Sequence, residues 1–374
     1  MDPQKYLHVV AFNVPYPPDY GEIIDIYYKL RALSEDGTRI ILHTFLYERP
    51  AAPELEQLCH EVHYYKRLRG LKYLLQPLPY IVLTRKSKPL VERLLNDDHP
   101  VLFEGLHTTF HMQQCIDAGK PVFVRTHNIE HNFYRMLANS ERRIFKKLFL
   151  SAESRKLKRY EPILELANRL IAISITDATY FSDQYGNSTY VSAFHHHDEI
   201  TAVPGKGDYI LFHGNLSVPE NEKALLFLVK KVLSQLSYRV IIAGKNPGRV
   251  IRRTCDRYPH IELISNPSGG QMDQLVLEAH INLLYTYQPT GLKLKLLYSL
   301  YSGRHCMANP LMLSGSVLEP LCRVYRSPGE AIKMIEQLMQ EPLSEEAIVE
   351  RTKILSEYHN SHNIKKINEL LWPS

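Results

Sequence analysis

The segment Gln288-Pro-Thr-Gly-Leu-Lys-Leu-Lys-Leu-Leu-Tyr-Ser-Leu-Tyr-Ser-Gly303 carries the most chemistry for its length. Thr290 is a natural N-cap, and a helix that begins at Gly291 puts Lys293 and Lys295 in its first turns. The helix dipole is already positive there, so two lysines are locally unfavourable until an anion joins them. Cap hydroxyl, free amides and ammonium groups together describe a diphosphate site; an exposed helix end is the plainer reading. Phe212-His-Gly-Asn-Leu-Ser-Val-Pro-Glu-Asn221 offers Gly214 and Asn215 ahead of another helix start, and Gly244-Lys-Asn-Pro-Gly248 adds Lys245. Both pass equally well for simple strand-to-helix turns.

Histidines form the second group. Arg125-Thr-His-Asn-Ile-Glu-His131 sets His127, Asn128 and His131 just after a strand-like run, where imidazole can orient a hydroxyl or move a proton. His107, in Glu104-Gly-Leu-His107, follows the preceding strand-like run. In the proline-rich Asn13-Val-Pro-Tyr-Pro-Pro-Asp-Tyr-Gly-Glu22, Tyr20 and Gly21 hand over to a helix, and glycine there admits either a ligand or a left-handed turn. His195-His196-His197 lacks carboxylates at metal-ligand spacing, and Ser174-Ile-Thr-Asp177 reads first as a capping box.

Alternating elements must hold these loops. Strand patterns at Leu7–Phe12, Arg39–Phe45, Val101–Glu104, Val122–Arg125 and Leu170–Ile173 are separated by helical ones at Glu22–Ser34, Thr109–Ala118 and Ile129–Ala167, the last long enough for two helices. The pattern lapses in Ser192–Asp208 and restarts with strands at Tyr209–Phe212, Arg239–Ala243, Ile261–Ile264 and Ile281–Tyr285. Helical patterns at Glu220–Leu236, Gly248–Tyr258 and Gly270–Ala279 lie between them, and Glu345–Trp372 reads as helix with no following strand. The expectation is α/β architecture with two Rossmann-like doubly wound domains facing a cleft: residues 1–200, residues 201–350, and a helical tail over 351–374 that packs back on the first. The boundary is placed between Val191 and Tyr209.

Bulk properties narrow the function classes. With 374 residues, two domains are expected; 45 basic against 40 acidic residues leave only +5, which does not call for nucleic acid. Basic residues concentrate in Lys66–Lys72 and Arg142–Arg159, either as a solvated helix face or as a contact for an anionic membrane surface. Five scattered cysteines suggest neither disulfides nor zinc, and no apolar run is long enough to span a bilayer, so a cytoplasmic location with at most peripheral membrane contact is expected.

Taken with these motifs, the chain resembles a GT-B glycosyltransferase, similar to the retaining nucleotide-sugar enzymes of glycosyltransferase family four. Arg125-Thr-His-Asn-Ile-Glu-His131 and Ile171-Ala-Ile-Ser-Ile-Thr-Asp177 resemble its amino-domain segments; His213–Asn221, Ile242–Pro247 and Thr290–Gly303 resemble its donor-domain segments. The resemblance implies transfer of a sugar from a nucleotide-sugar to a saccharide or lipid-linked acceptor, without a metal or other cofactor. It implies His127 near the transferred sugar, Gly214, Asn215, Lys245, Thr290, Gly291, Lys293, Lys295 and Tyr298 at the donor, and Tyr20, Gly21, His107, Asn128 and His131 at the acceptor. Tyr298 stands where the family has a glutamate that grips ribose, and Asn215 where an arginine often meets phosphate. A GT-B protein that only binds partners and a nucleotide-sugar epimerase are the alternatives.

Overall fold

The computed structural model describes residues 4–141, 143–288, 291 and 293–373. The chain forms two compact units. One runs to His196 and resumes at Glu357; the other spans His197–Ser356, apart from Gly291, which groups with the first.

In the first unit, seven parallel strands lie in the order β3-β2-β1-β4-β5-β6-β7: β1 Tyr6–Ala11, β2 Arg39–Leu46, β3 Glu61–Lys66, β4 Val101–Glu104, β5 Val122–Thr126, β6 Arg169–Ala172 and β7 Ser188–Tyr190. Both faces of β1 are covered by helices, which is why its Leu7-His-Val-Val-Ala11 run is buried without alternation. The helix Gly21–Glu35 supplies one cover. Ile23, Ile26, Leu30 and Leu33 recur at helical spacing, are fully buried, and join Leu7, Val9 and Ala11 in one core. At about 2 kcal/mol for each such side chain, this stripe fixes the helix on the sheet.

The second unit repeats the plan with six parallel strands in the order β10-β9-β8-β11-β12-β13: β8 Tyr209–Asn215, β9 Arg239–Lys245, β10 Ile261–Ser265, β11 Ile281–Leu284, β12 His305–Ala308 and β13 Arg323–Val324. Its main core joins Ile210 and Phe212 of β8 to Leu225 and Leu228 of the helix Pro219–Lys231. Strand order reverses between β1 and β4 in one sheet and between β8 and β11 in the other. At such points the connections diverge and leave a crevice beyond the carboxyl ends of the strands.

The tail returns to the first unit. Ile364, Ile367 and Leu371 of the helix Asn360–Leu371 enter its core, and the Asn360 side chain accepts from the His195 N–H at 3.1 Å and donates to the His195 carbonyl at 2.7 Å. The expected single helix Glu345–Trp372 is two, Glu345–Leu355 and Asn360–Leu371, separated by a turn at Ser356–Tyr358. Ile129–Ala167 likewise divides, into Glu130–Ser140 and Ile144–Tyr160 followed by a 3-10 segment. All five cysteines are free, and among the described residues no helix is long and apolar enough to cross a membrane.

Candidate functional site

At the β1/β4 reversal the first unit buries a network of charges. Asp25 and Lys29 share a face of the helix Gly21–Glu35, Glu104 closes β4, Arg125 lies on β5, and His127 follows β5. Lys29 Nζ donates to Asp25 Oδ2 at 3.0 Å and to the Glu104 carboxylate at 2.9 Å. Arg125 grips Asp25 with two bonds, at 2.8 and 3.0 Å, and donates to the carbonyls of Val191 and Ser192. The Phe194 N–H adds a third donor to Asp25 at 2.8 Å. Burial pushes the Asp25 carboxyl up, but Arg125 and Lys29 outweigh it and hold the group well below the usual carboxylate range.

His127 is the expected catalytic residue, and its side chain is fully enclosed by this network. Its Nε2 lies 3.2 Å from Asp25 Oδ2 and 3.5 Å from Glu104 Oε2; both neighbours accept, so Nε2 carries the proton. Nδ1 is left with no hydrogen-bond partner. Asp25, Glu104 and His127 are close enough together to hold a metal ion, yet Lys29 already places an ammonium group between the two carboxylates. The donor set fits an internal ion pair better than a metal.

Alongside lies a cavity of about 600 Å³ whose wall includes Phe12 after β1, His107 after β4, and Tyr20. Burial, reinforced by Arg85 and His127, lowers the His107 imidazole well below its usual value, so the ring is neutral. Its Nδ1 has no hydrogen-bond partner and stands 3.9 Å from Glu130 Oε1. Burial, together with Glu22, Glu161 and Asp177, raises Glu130 well above the usual carboxylate range.

The other expected acceptor residues divide. Asn128 donates to Glu22 at 3.1 Å. His131 belongs to a separate cluster, bonded at 2.8 Å to Glu161, which also accepts from Tyr180 and Tyr185. Gly21 does not form a left-handed turn: it opens the helix, and a side chain there would meet open space. Ser174 caps its helix by accepting from the Asp177 N–H at 3.1 Å, as its sequence pattern predicts.

In the second unit, the β8/β11 reversal gathers Glu220, Asn221, Thr286 and Lys295. Glu220 accepts from Thr286 Oγ1 at 2.7 Å and from the Tyr287 N–H at 2.9 Å, tying the helix after β8 to the loop after β11. Lys295 Nζ approaches Asn221 Oδ1 at 3.4 Å, and Asn221 donates to the carbonyl of Asn215 at the end of β8. Desolvation lowers the Lys295 ammonium, with Glu220 opposing. Gly214 pairs with Gly244 and Asn215 with Lys245 across β8 and β9; a Cβ on Gly244 would come within 2.0 Å of the Gly214 carbonyl oxygen.

The expected helix start needs correction. The helix spans Leu294–Ser302, with Lys293 at the N-cap position and no side-chain cap; Gly291 takes φ 67°, a left-handed conformation that cannot continue a helix, and Thr290 lies outside the described residues. Lys295 therefore occupies the first turn, while Lys293 precedes it. Tyr298 donates its hydroxyl to Asp273, and its ring lies edge-on to buried His213, whose imidazole burial and Lys295 push down to about 3.

Several of these groups escaped the sequence reading. Asp25 and Lys29 were detectable as a charged i, i+4 pair adjoining an apolar helix stripe, and Glu220 as an acid in a helix first turn. His213 was visible only as part of a turn motif.

No protein-family model matches the chain. An uncharacterized 44.6 kDa protein in the cps region of Klebsiella pneumoniae is 26% identical over 311 residues, covering 77% of this chain and 78% of that one. Among solved structures, a glycosyltransferase from Rickettsia africae matches with TM-score 0.67 at 12% identity, over 100% of both chains. The fold is that of GT-B glycosyltransferases. HepE of Anabaena, solved with UDP and glucose, matches with TM-score 0.64 at 13% identity over 98% of this chain and 99% of its own. A UDP-forming trehalose-phosphate synthase from Burkholderia xenovorans, solved with glucose-6-phosphate, matches with TM-score 0.62 at 12% identity over the same shares.

Proposed function

We propose that the protein is a glycosyltransferase that moves a sugar from a nucleotide-sugar to a saccharide or lipid-linked acceptor, with retention and without a metal ion. The observation that carries this reading is the first-turn Lys295 at the strand-order reversal of a GT-B second unit, held among Glu220, Asn221 and Asn215. A desolvated ammonium at a helix start favours an incoming diphosphate, whose negative charge grows as the glycosyl bond breaks; stabilising such charge is usually the largest catalytic contribution. Gly214, Lys245, Thr290, Gly291 and Lys293 complete the donor site in this reading. Tyr298, bonded to Asp273, replaces a carboxylate grip on ribose with a single hydroxyl.

In the first unit the reading assigns the unsatisfied Nδ1 of His127 to the transferred sugar, and His107, Tyr20 and Asn128 to the acceptor. Asp25 and Glu104 fix the His127 tautomer through Nε2. The location we assign is cytoplasmic, with peripheral contact at an anionic membrane: Ile144, Phe145 and Leu148 are exposed among Arg143, Lys146 and Lys147 at one helix start.

Titration of UDP into wild type and Lys295→Ala tests the donor site. Saturable binding that weakens by about 1–3 kcal/mol in the variant is expected for a lost charge-assisted hydrogen bond. Unchanged affinity would remove Lys295 from the site, and no binding to wild type would favour a GT-B protein that only binds partners.

A further inference from the structure

The cavity of the first unit holds two guanidinium groups that the transfer reading leaves unused. Arg67 and Arg85 both line it, and both are buried, at 8% and 3% exposure. Arg67 Nε donates to Thr84 Oγ1 at 3.1 Å, and its guanidinium lies 4.1 Å from the centre of the Tyr47 ring and 5.7 Å from that of Tyr80. Arg85 donates to the carbonyls of Phe12, at 3.0 Å, and Ile81. Among the described residues neither forms an ion pair with a carboxylate. The remaining cavity arginine, Arg49, is paired with Asp19 and differs in this respect; Glu48 is exposed at the wall.

Two like charges in a desolvated wall repel each other. Burial and the neighbouring Arg67 push the Arg85 guanidinium down to about 9 against the opposing pull of Tyr134 and Glu22, so Arg85 stays charged at neutral pH. An anion that enters the cavity relieves this repulsion and supplies a partner at hydrogen-bond distance, which Glu22 and Glu130, acting on Arg85 without a direct ion pair, do not. Arginine also matches phosphate and carboxylate geometry with two parallel donors. The rest of the wall suits a sugar: the Tyr20, Tyr47 and Tyr80 rings offer apolar faces, and the unsatisfied Nδ1 of His107 offers a hydroxyl partner.

We infer that the acceptor is a saccharide carrying an anionic group, phosphate or carboxylate, which Arg67 and Arg85 bind in this cavity. The inference rests on the glycosyl-transfer reading and narrows its acceptor class.

Calorimetric titration of the full chain with glucose 6-phosphate, glucuronate and glucose tests it, the two acids separating phosphate from carboxylate. At least one anionic sugar should bind ten-fold or more tightly than glucose. Arg67→Gln should erase that preference while leaving glucose affinity within about two-fold. Because Arg85 also holds two backbone carbonyls, Arg67→Gln is the primary variant; a rise in wild-type melting temperature with the preferred anionic sugar, absent with glucose, is the second measure. Equal affinities, no binding of either acid, or a preference that survives Arg67→Gln would overturn the inference. UDP titrated into the same samples separates the two claims. UDP binding without anionic preference defeats this inference alone, whereas anionic preference without UDP binding defeats the transfer reading and leaves the cavity's specificity standing.

Discussion

Replacing Lys29 with methionine keeps the side-chain length and removes one charge from a site with no solvent access. Asp25 would keep four donors, two from Arg125, one from the Phe194 N–H and His127 Nε2 at 3.2 Å. Glu104 would keep only His127 Nε2, at 3.5 Å. The penalty therefore falls on Glu104, and breaking a buried pair from one side costs about 3–5 kcal/mol. With a denaturant slope of about 2–3 kcal/mol/M, the urea midpoint of the first unit should drop by about 1–2.5 M. Removing the stranded carboxylate as well, in Lys29→Met/Glu104→Gln, should recover at least half of the loss, because a neutral amide is far less costly to bury than an unpaired charge. Fluorescence- or CD-monitored urea unfolding of wild type, both single variants and the double variant provides the cycle. A Lys29→Met loss below about 1 kcal/mol, or a double variant equal to the sum of the singles, would refute the claim that Lys29 is the cation for these carboxylates.

Three further expectations follow from the geometry. Gly244→Ala drives a methyl group into the Gly214 carbonyl oxygen and should destabilise the second unit by about 2–4 kcal/mol by thermal unfolding; a neutral result would mean β8 and β9 can separate there. His195, in the first unit, and His213, in the second, have imidazoles lowered to about 4 and about 3, chiefly by burial. The unfolded chain thus binds their protons first. Their stabilising contribution is full above pH 6.5 and is lost as pH falls toward 4 and 3, about 2 kcal/mol for each between pH 7 and 5; stability that stays flat across this range would contradict their burial as neutral rings. Vesicle co-sedimentation should rise with anionic lipid content and fall in Phe145→Ser, and indifference to both would remove the membrane contact.

Much of the fold was legible because parallel strands buried on both faces read as short apolar runs, as in β1 and β9. The strands that escaped lack that signature. β3, Glu61-Val-His-Tyr-Tyr-Lys, and β7, Ser188-Thr-Tyr, are edge strands with half-buried side chains. β12, His305-Cys-Met-Ala, is buried but has no β-branched residue. At the candidate site, His107 in the loop after β4 and Tyr20 just before the helix Gly21–Glu35 line one cavity, as their positions between a strand end and a following helix suggest. The bond of His131 to Glu161 had no signal in the sequence, because its partner is thirty residues away and the pairing is set by tertiary packing. Arg67 showed only as part of the basic stretch Lys66–Lys72 and Arg85 gave no local signal; the fold alone brings them to one wall.

Glycosyl transfer itself is tested most directly by incubating the full chain with a panel of nucleotide-sugars, with and without saccharide acceptors, and identifying the products. The account predicts release of nucleoside diphosphate together with a glycosylated acceptor, dependent on the acceptor and strongly reduced in a folded His127→Ala variant. Conversion of the donor to an epimer without acceptor, or an intact donor under every condition, would contradict it.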